Sequence, residues 1–307
     1  MFEPLFNKNY NCLDIALANV TRFFQKDHEL MFLGAWGFRF SDNENLPMGK
    51  RLKTDWQCTR EYLSLFHGIQ SVMTEISEPS VQQDIIFAEL QDKKAVVVKM
   101  DAYKCKWNLA YSRYHIPHYF VIVDINKNKY KCIDTYSSEY EEYLESSEIF
   151  DAIYTFQCHT VTNESVISNA KKILGSNDFL HRIVEQQVMI ENFANEIVNI
   201  DYDSIASLAK DVWASPICRK IKEIGCGRKN FLLALIYLEK LEIASEISEI
   251  KTGISTIASD WDKIYRLIIK VSFLQDRDSS LNKIKDLLKG ISGREKQIAE
   301  KIVSNFD

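Results

Sequence analysis

Helix breakers are scarce in this chain: 5 prolines and 10 glycines are spread over 307 residues, and only Pro216 among the prolines lies beyond residue 160. No apolar run approaches the ~18 residues of a membrane span. The first residues, Met1-Phe2-Glu3-Pro4-Leu5-Phe6-Asn7-Lys8, lack the basic-then-apolar order of a secretory leader. An excess of positive charge is also missing. Lys+Arg 38 against Asp+Glu 43 gives a net charge of -5, which argues against a general nucleic-acid binder. Seven cysteines, an odd number without disulfide-framework spacing, favour a reducing compartment, so the chain is expected in the cytoplasm. There is no fixed-period repeat and no low-complexity tract. With 46% hydrophobic and 12% aromatic residues, packed cores are expected and disorder is not.

What is present divides near residue 160. Before it, β-branched and aromatic runs at 95–100, 118–125, 130–134 and 152–156 read as strands, and apolar periodicity places helices at 11–25, about 54–66 and about 80–91. After it the strand signal disappears. Leu180, Ile183, Val184, Ile190, Phe193, Ala194 and Ile197 keep helical spacing, and similar patterns follow at 203–214, 229–247, 258–274 and 279–304. The expected architecture is α+β, with a mixed domain over 1–160 and an all-helical domain over 161–307. The helical half is expected to pack on the first and to shape an acceptor pocket or a homodimer contact, with its Met and Leu stripes as core.

One cysteine stands at the start of a helix. In the stretch from Asn11 to Phe24 the apolar positions 13, 16, 17, 20, 23 and 24 have i, i+3, i+4 spacing, which puts Cys12 in the first turn of a one-faced helix with Asn9 or Asn11 as N-cap. A thiol of pKa about 8.5 is only a few per cent thiolate at neutral pH, and the thiolate is the nucleophile. The unpaired amides and positive dipole end of a helix N-terminus favour that anion, and can also hold a developing oxyanion. Downstream, His118 leads the run His-Tyr-Phe-Val-Ile-Val-Asp-Ile, Asn126 to Lys129 reads as a turn, and Tyr130 to Asp134 returns as a second strand. With the turn centred near 126 or 127, residue 118 falls opposite about 134 or 135, where imidazole and carboxylate can hydrogen-bond. Cys12, His118 and Asp134 thus supply a nucleophile, a base and an orienting carboxylate, a papain-like acyl-transfer site. Taken singly, each has a plain structural use as buried hydrophobe, strand-start donor or turn former. Their conjunction, each on the element its role requires, points to catalysis.

Other groups carry less chemistry. His115 and His118 lie beside Cys105 and Cys132 in the sequence, but the pair straddles Pro117 and lacks zinc-ligand spacing, so no metal is expected. Cys158 and His159, adjacent on a strand, point to opposite faces. Cys218 and Cys226 fall in the helical half. Gly34-Ala35-Trp36-Gly37 has neither the Walker lysine nor Rossmann spacing and reads as a turn near the helix and pocket edge. Trp36, Phe38, Trp107, Tyr114 and Tyr136 are either pocket lining or ordinary core. Lys50-Arg51-Lys53 and Arg228-Lys229 are basic clusters that would suit an acidic partner or form plain solvated faces.

Three segments, Asn11-Cys12-Leu13-Asp14-Ile15-Ala16-Leu17-Ala18, His118-Tyr119-Phe120-Val121-Ile122-Val123-Asp124 and Ile133-Asp134-Thr135-Tyr136, resemble the butirosin-type acyltransferase domain, a relative of cysteine proteases. Residues 205–213 and 228–237 look like the helical domain that often follows it, so the resemblance spans nearly the whole chain. It implies a papain-like cysteine protease-type fold over 1–160 and work in thiotemplated antibiotic biosynthesis. The acyl donor would be a thioester on the phosphopantetheine of an acyl or peptidyl carrier protein, and the acceptor a small-molecule amine. Cys12 would take the acyl group, His118 act as base then acid, and Asp134 orient it, with no cofactor of the enzyme's own. Papain-like sites often carry a glutamine several residues before the cysteine as oxyanion donor. None precedes Cys12, leaving Asn7, Asn9 or the Cys12 amide for that task. Three function classes follow: an N-acyltransferase, a peptidase or thioesterase using the same triad, and a silent carrier-binding module with Cys12 as core. Transfer leads, because a thioester donor and a cysteinyl acyl-enzyme have similar reactivity. Neither nucleic acid nor membrane is expected as a partner.

Overall fold

The strand-like runs pair into one six-stranded antiparallel sheet in the computed structural model, which describes residues 3–54, 59–75, 78–127, 129–138, 141–145, 147–148, 153–162, 166–200, 215–244, 247–274 and 276–306. The strands are β1 (Ile69–Thr74), β2 (Val96–Asp101), β3 (Pro117–Asn126), β4 (Lys129–Ile133), β5 (Glu141–Glu145) and β6 (Ile153–Val161), in the order β1-β6-β2-β3-β4-β5. Val96, Val98 and Met100 of β2 lie opposite Ile122, Phe120 and His118 of β3. Partners across a ladder share a face. Five of these six side chains, all but His118, join Ile86 and Leu90 of the preceding helix (Pro79–Gln91) and Tyr130, Cys132, Leu144 and Phe156 in one core. His118 therefore ends a row of core side chains and is itself buried.

Two strands escape the sequence patterns. β1 alternates weakly, and β5 reads Glu-Glu-Tyr-Leu-Glu with Leu144 as its one buried residue. β5 is an edge strand whose glutamates pair with Lys129 and Lys131 across the ladder, a charged rim that discourages further strand addition. The hairpin register also differs from expectation. Val121 pairs with Ile133 and Ile122 with Cys132, but a bulge at Val123 shifts the pairs nearer the turn, so Asn126 meets Lys129. Asp134 thus lies beyond the last ladder pair and reaches His118 along a diagonal.

The first helix, α1 (Cys12–Phe23), is not one-faced. Every residue from Asp14 to Thr21 is buried, and the polar ones among them are satisfied locally. Asn19 donates through Nδ2 to the Ile15 carbonyl at 2.9 Å and to Thr135 Oγ1 at 3.0 Å, and accepts from Leu5 N at 2.7 Å. Thr21 Oγ1 donates to the Ala18 carbonyl. Burial on all sides fixes the axis of the helix that carries Cys12.

Compactness divides the chain into Met1–His28 with Leu63–Ser165, and Glu29–Tyr62 with Val166–Asp307. The stretch 29–62, which the sequence leaves inside a 1–160 domain, is compact with the helices. Its aromatics explain why. Trp36 packs edge-on to Phe231, Phe38 lies against Trp261 and Phe193, and Arg51 makes a two-pronged pair with Glu196 at 2.5 and 2.8 Å. The described helices of this unit include α2 (Asn177–Glu196), α3 (Pro216–Lys240), α4 (Ser248–Val271) and α5 (Asp278–Phe306). α3 begins well before the expected 229 because Ser215 caps it and Pro216 occupies its first turn. The expected helix over 203–214 lies outside the described residues. At the centre of the unit Arg228, fully buried, donates to both oxygens of Glu295 and to the Gly37 carbonyl, while Trp36 and Trp261 donate their indole N–H groups to the same carboxylate. Among the described residues no helix is long and apolar enough to cross a membrane.

In the sheet-containing unit two buried histidines, His28 and His67, lie near one another. Tyr10 Oη is 2.8 Å from His28 Nε2. Burial first, and His28 second, push His67 down from 6.5 to about 4. The native state stays neutral there where the unfolded chain takes up a proton, so the stability His67 supplies is complete above pH 6.5 and is lost as pH falls toward about 4. Thermal or urea melts across that range should show it, at up to about 1.4 kcal/mol per pH unit. In His67→Asn that component of the slope should vanish.

Candidate active site

Cys12 is the first residue of α1, and Asn11 is its N-cap. Asn11 Oδ1 accepts from Asp14 N at 2.9 Å and Asp14 Oδ2 accepts from Asn11 N at 3.4 Å, a reciprocal capping box. The cap therefore falls on Asn11 and not Asn9. With Asp14 N used, the amides of Cys12 and Leu13 have no acceptor among the described residues, and they open at the positive end of the helix beside the half-buried thiol. Asn7 Oδ1 is occupied by Asn9 N at 3.0 Å.

His118 enters from the start of β3, and Asp134 from the chain just past β4. Nε2 of His118 is 2.6 Å from Asp134 Oδ2, and both side chains are almost fully buried. The Cys12 side chain lies near enough to the same imidazole to help raise its pKa. With Nε2 facing Asp134, the nitrogen left for sulfur is Nδ1. Burial alone would lower the His118 pKa, but the bond to Asp134, the proximity of Cys12 and the charges of both outweigh it, and the ring is raised above its usual 6.5. Of the three residues picked from the sequence, His118 and Asp134 are in direct contact, and Cys12 is near enough to bear on the charge of the ring.

Several further residues hold this arrangement, among them Trp107, which the sequence allowed as pocket lining, and Asn19 and Thr135, which sequence reasoning did not single out. Trp107 Nε1 donates to Asp134 Oδ2 at 2.7 Å, the same oxygen that meets His118, and Ser137 N donates to Oδ1 at 3.3 Å. Asp134 accepts from three sides, so neither carboxylate oxygen is left bare in the core. Asn19 and Thr135 tie α1 to the residue after Asp134, and Thr135 Oγ1 also donates to the Leu5 carbonyl at 2.5 Å. A polar Asn inside the apolar run of α1 was the one available sequence signal. Tyr136 stands over the site, its ring 6.1 Å from that of His118 and 44% exposed, and Trp107 meets Phe120 edge-on at 5.6 Å.

A second sulfur lies close. Cys105 Sγ, a His118 nitrogen and an Asp134 oxygen fall within 4.8 Å of one another, all three residues buried. This Cys-His-Asp group has the composition of a triad. Burial pushes the Cys105 thiol up, and the neighbouring Asp134 charge pushes it further, so it stays protonated. A protonated, fully covered thiol is a poor nucleophile. Cys12, by contrast, is partly accessible and lies near the raised imidazole.

The remaining candidates fall elsewhere. His115 is turned to solvent, bonded through Nδ1 to Asp101 at 2.7 Å and stacked on Tyr103. His159 is bonded to Ser71. Trp36 and Phe38, which the sequence allowed as pocket lining, are core of the helical unit, and Gly34 to Gly37 leads into that core. The arginines of both basic clusters are engaged, while Lys50 and Lys53 are exposed. Arg51 is engaged by Glu196 and stacks over Phe40, Arg228 is enclosed, and Lys229 pairs with Asp262 at 2.7 Å.

Searched against models of protein families, the chain matches none, and among curated proteins no sequence matches it either.

Proposed function

We propose that this chain is a cysteine-dependent N-acyltransferase with a papain-like catalytic half, which moves an acyl group from a carrier-protein thioester to an amine in thiotemplated natural-product assembly. The observation that supports this reading is the buried His118–Asp134 pair, with the Cys12 sulfur near the ring at a capped helix N-terminus. In the first step His118 takes the Cys12 proton through Nδ1, and the thiolate attacks the thioester carbonyl carbon. The oxyanion forms within reach of the free Cys12 and Leu13 amides. The tetrahedral species collapses by breaking the bond to the phosphopantetheine sulfur, which leaves with the proton from His118. In the second step a neutral amine attacks the cysteinyl thioester, His118 accepts its proton, and the Cys12 sulfur departs to give the amide. Carrier thiol and amide are the products, and no other reactant is consumed.

Asp134 holds the ring and stabilises the imidazolium without touching the reacting atoms. Trp107, Phe120 and Tyr136 wall the imidazole with apolar surface, and exclusion of water from the acyl-enzyme is what separates transfer from hydrolysis. The experiment is intact-protein mass spectrometry after incubation with an acyl-carrier thioester. The expected result is one acyl mass increment on a peptide containing Cys12, discharged faster by amines than by water. A protein that never acylates removes the proposal, and discharge by water alone makes it a thioesterase.

A further inference from the structure

Cys105 has no part in the reaction above, yet its sulfur completes a set of metal donors. Cys105 Sγ, a His118 nitrogen and an Asp134 oxygen all lie within 4.8 Å of one another. They come from three places in the fold: the stretch between β2 and β3, the start of β3, and the chain just past β4. Cys105 and His118 are 13 positions apart, and His118 and Asp134 are 16 apart, so the set follows no ligand-spacing rule and only the fold assembles it. Sulfur, imidazole nitrogen and carboxylate oxygen together suit a borderline-soft divalent ion, zinc above all. Magnesium and calcium take oxygen donors.

The protein holds these donors in place by itself. Cys105 N donates to the Ala102 carbonyl at 3.1 Å and Asn108 N to the Cys105 carbonyl at 3.0 Å, so the turn that carries the sulfur is fixed on both sides. Trp107 holds Asp134 at Oδ2 and Ser137 N holds it at Oδ1, outer bonds of the kind that orient a metal-binding carboxylate. Tetrahedral zinc with bonds of about 2.0–2.3 Å keeps its donors about 3.3–3.8 Å apart. His118 Nε2 and Asp134 Oδ2 are 2.6 Å apart across their hydrogen bond, so an ion that replaces the shared proton needs them to part by about 1 Å.

We propose that Cys105, His118 and Asp134 form an inhibitory site for zinc, which binds through Sγ, Nε2 and a carboxylate oxygen and switches the Cys12 reaction off. The Cys105 proton leaves to solvent, because coordination deprotonates a thiol. The ion also displaces the proton on Nε2. A neutral imidazole carries one N–H, which must then be on Nδ1, the nitrogen left for the Cys12 sulfur. With a hydrogen there, the ring has no lone pair to accept the thiol proton, and the base is lost while the nucleophile is untouched. The ion site stands on its own, and its inhibitory effect rests on the acyltransferase reading above.

The test uses the full chain under a phosphine reductant, so that no added thiol competes for metal. Cobalt(II), a spectroscopic substitute for zinc, should bind at one equivalent with a thiolate-to-cobalt charge-transfer band in the near ultraviolet, and zinc should displace it. The band should persist in Cys12→Ala and vanish in Cys105→Ala. Thermal melts check the fold of both, and Cys105→Ser, which keeps the volume without the soft donor, gives the same comparison should the alanine variant not fold. One equivalent of zinc should slow acylation of Cys12 by a pantetheine thioester about tenfold or more in the wild type, reversibly with a chelator, and less than about twofold in Cys105→Ala relative to its own metal-free rate. A wild-type protein that shows no band, or equal inhibition with and without Cys105, overturns the proposal. So does a band lost in Cys12→Ala and kept in Cys105→Ala, which would put the ion on the nucleophile. If the band behaves as expected but no thioester acylates Cys12, the ion site stands and the acyltransferase reading falls.

Discussion

Cys12→Ala and His118→Ala are each expected to lower turnover by about 10⁴-fold or more, with Cys12 acylation lost. The first removes the atom that carries the acyl group. The second removes the acceptor that makes sulfur reactive and the acid that releases the carrier thiol. Asp134→Asn should cost no more than about 10⁴-fold, because the ring is still present and the amide oxygen can still accept from Trp107, although Nδ2 can no longer accept from Ser137 N. Cys105→Ala is the control that decides between the two sulfurs. It lies in the same buried group as His118 and Asp134, yet its thiol is kept protonated, so turnover should stay within a few-fold of wild type. Steady-state rates with thermal melts on all four variants separate chemistry from folding. Full activity in Cys12→Ala together with a dead Cys105→Ala would transfer the nucleophile's role to Cys105.

The second large effect is on stability. Glu295→Ala is expected to lower the unfolding free energy by about 3–5 kcal/mol, measured by urea denaturation. Glu295 is 1% exposed and accepts from Arg228, Trp36 and Trp261. Removing it leaves a fully buried guanidinium with no counter-charge and two indole N–H groups with no acceptor, each of which must be desolvated for nothing. The double replacement Arg228→Met with Glu295→Leu should cost much less, because no orphaned charge remains. Equal losses in the single and double variants would mean that the pair matters through its shape and not through its charge.

Most of the site was legible in the sequence because its parts obey local rules. Cys12 lies after an Asn at the start of a periodic run, His118 leads a β-branched run, and Asp134 ends the return strand. The register was not legible: the bulge at Val123 depends on how β3 and β4 twist together, and no residue near it is a glycine that would announce it. The bond of Trp107 to Asp134, and Asn19 altogether, were missed for a related reason. A tryptophan in a loop and an asparagine in an apolar helix gain meaning only from partners 27 and 116 residues away. The helical half was readable as helices from spacing alone. Where 29–62 belongs was not, because Trp36, Phe38 and Arg51 find their partners far along the chain, and no local pattern encodes that.

Trp36 donates to a carboxylate 259 positions downstream. On the ribosome, the aromatics of 29–40 therefore emerge long before the surface that covers them, and they must wait, exposed, until α5 has been synthesised. A shortened polypeptide ending near 160 would keep its relay residues yet leave Trp36, Phe38 and Phe40 without a home. Sticky, poorly behaved fragments are the natural outcome, so the acid, base and nucleophile are best studied with the last helix attached.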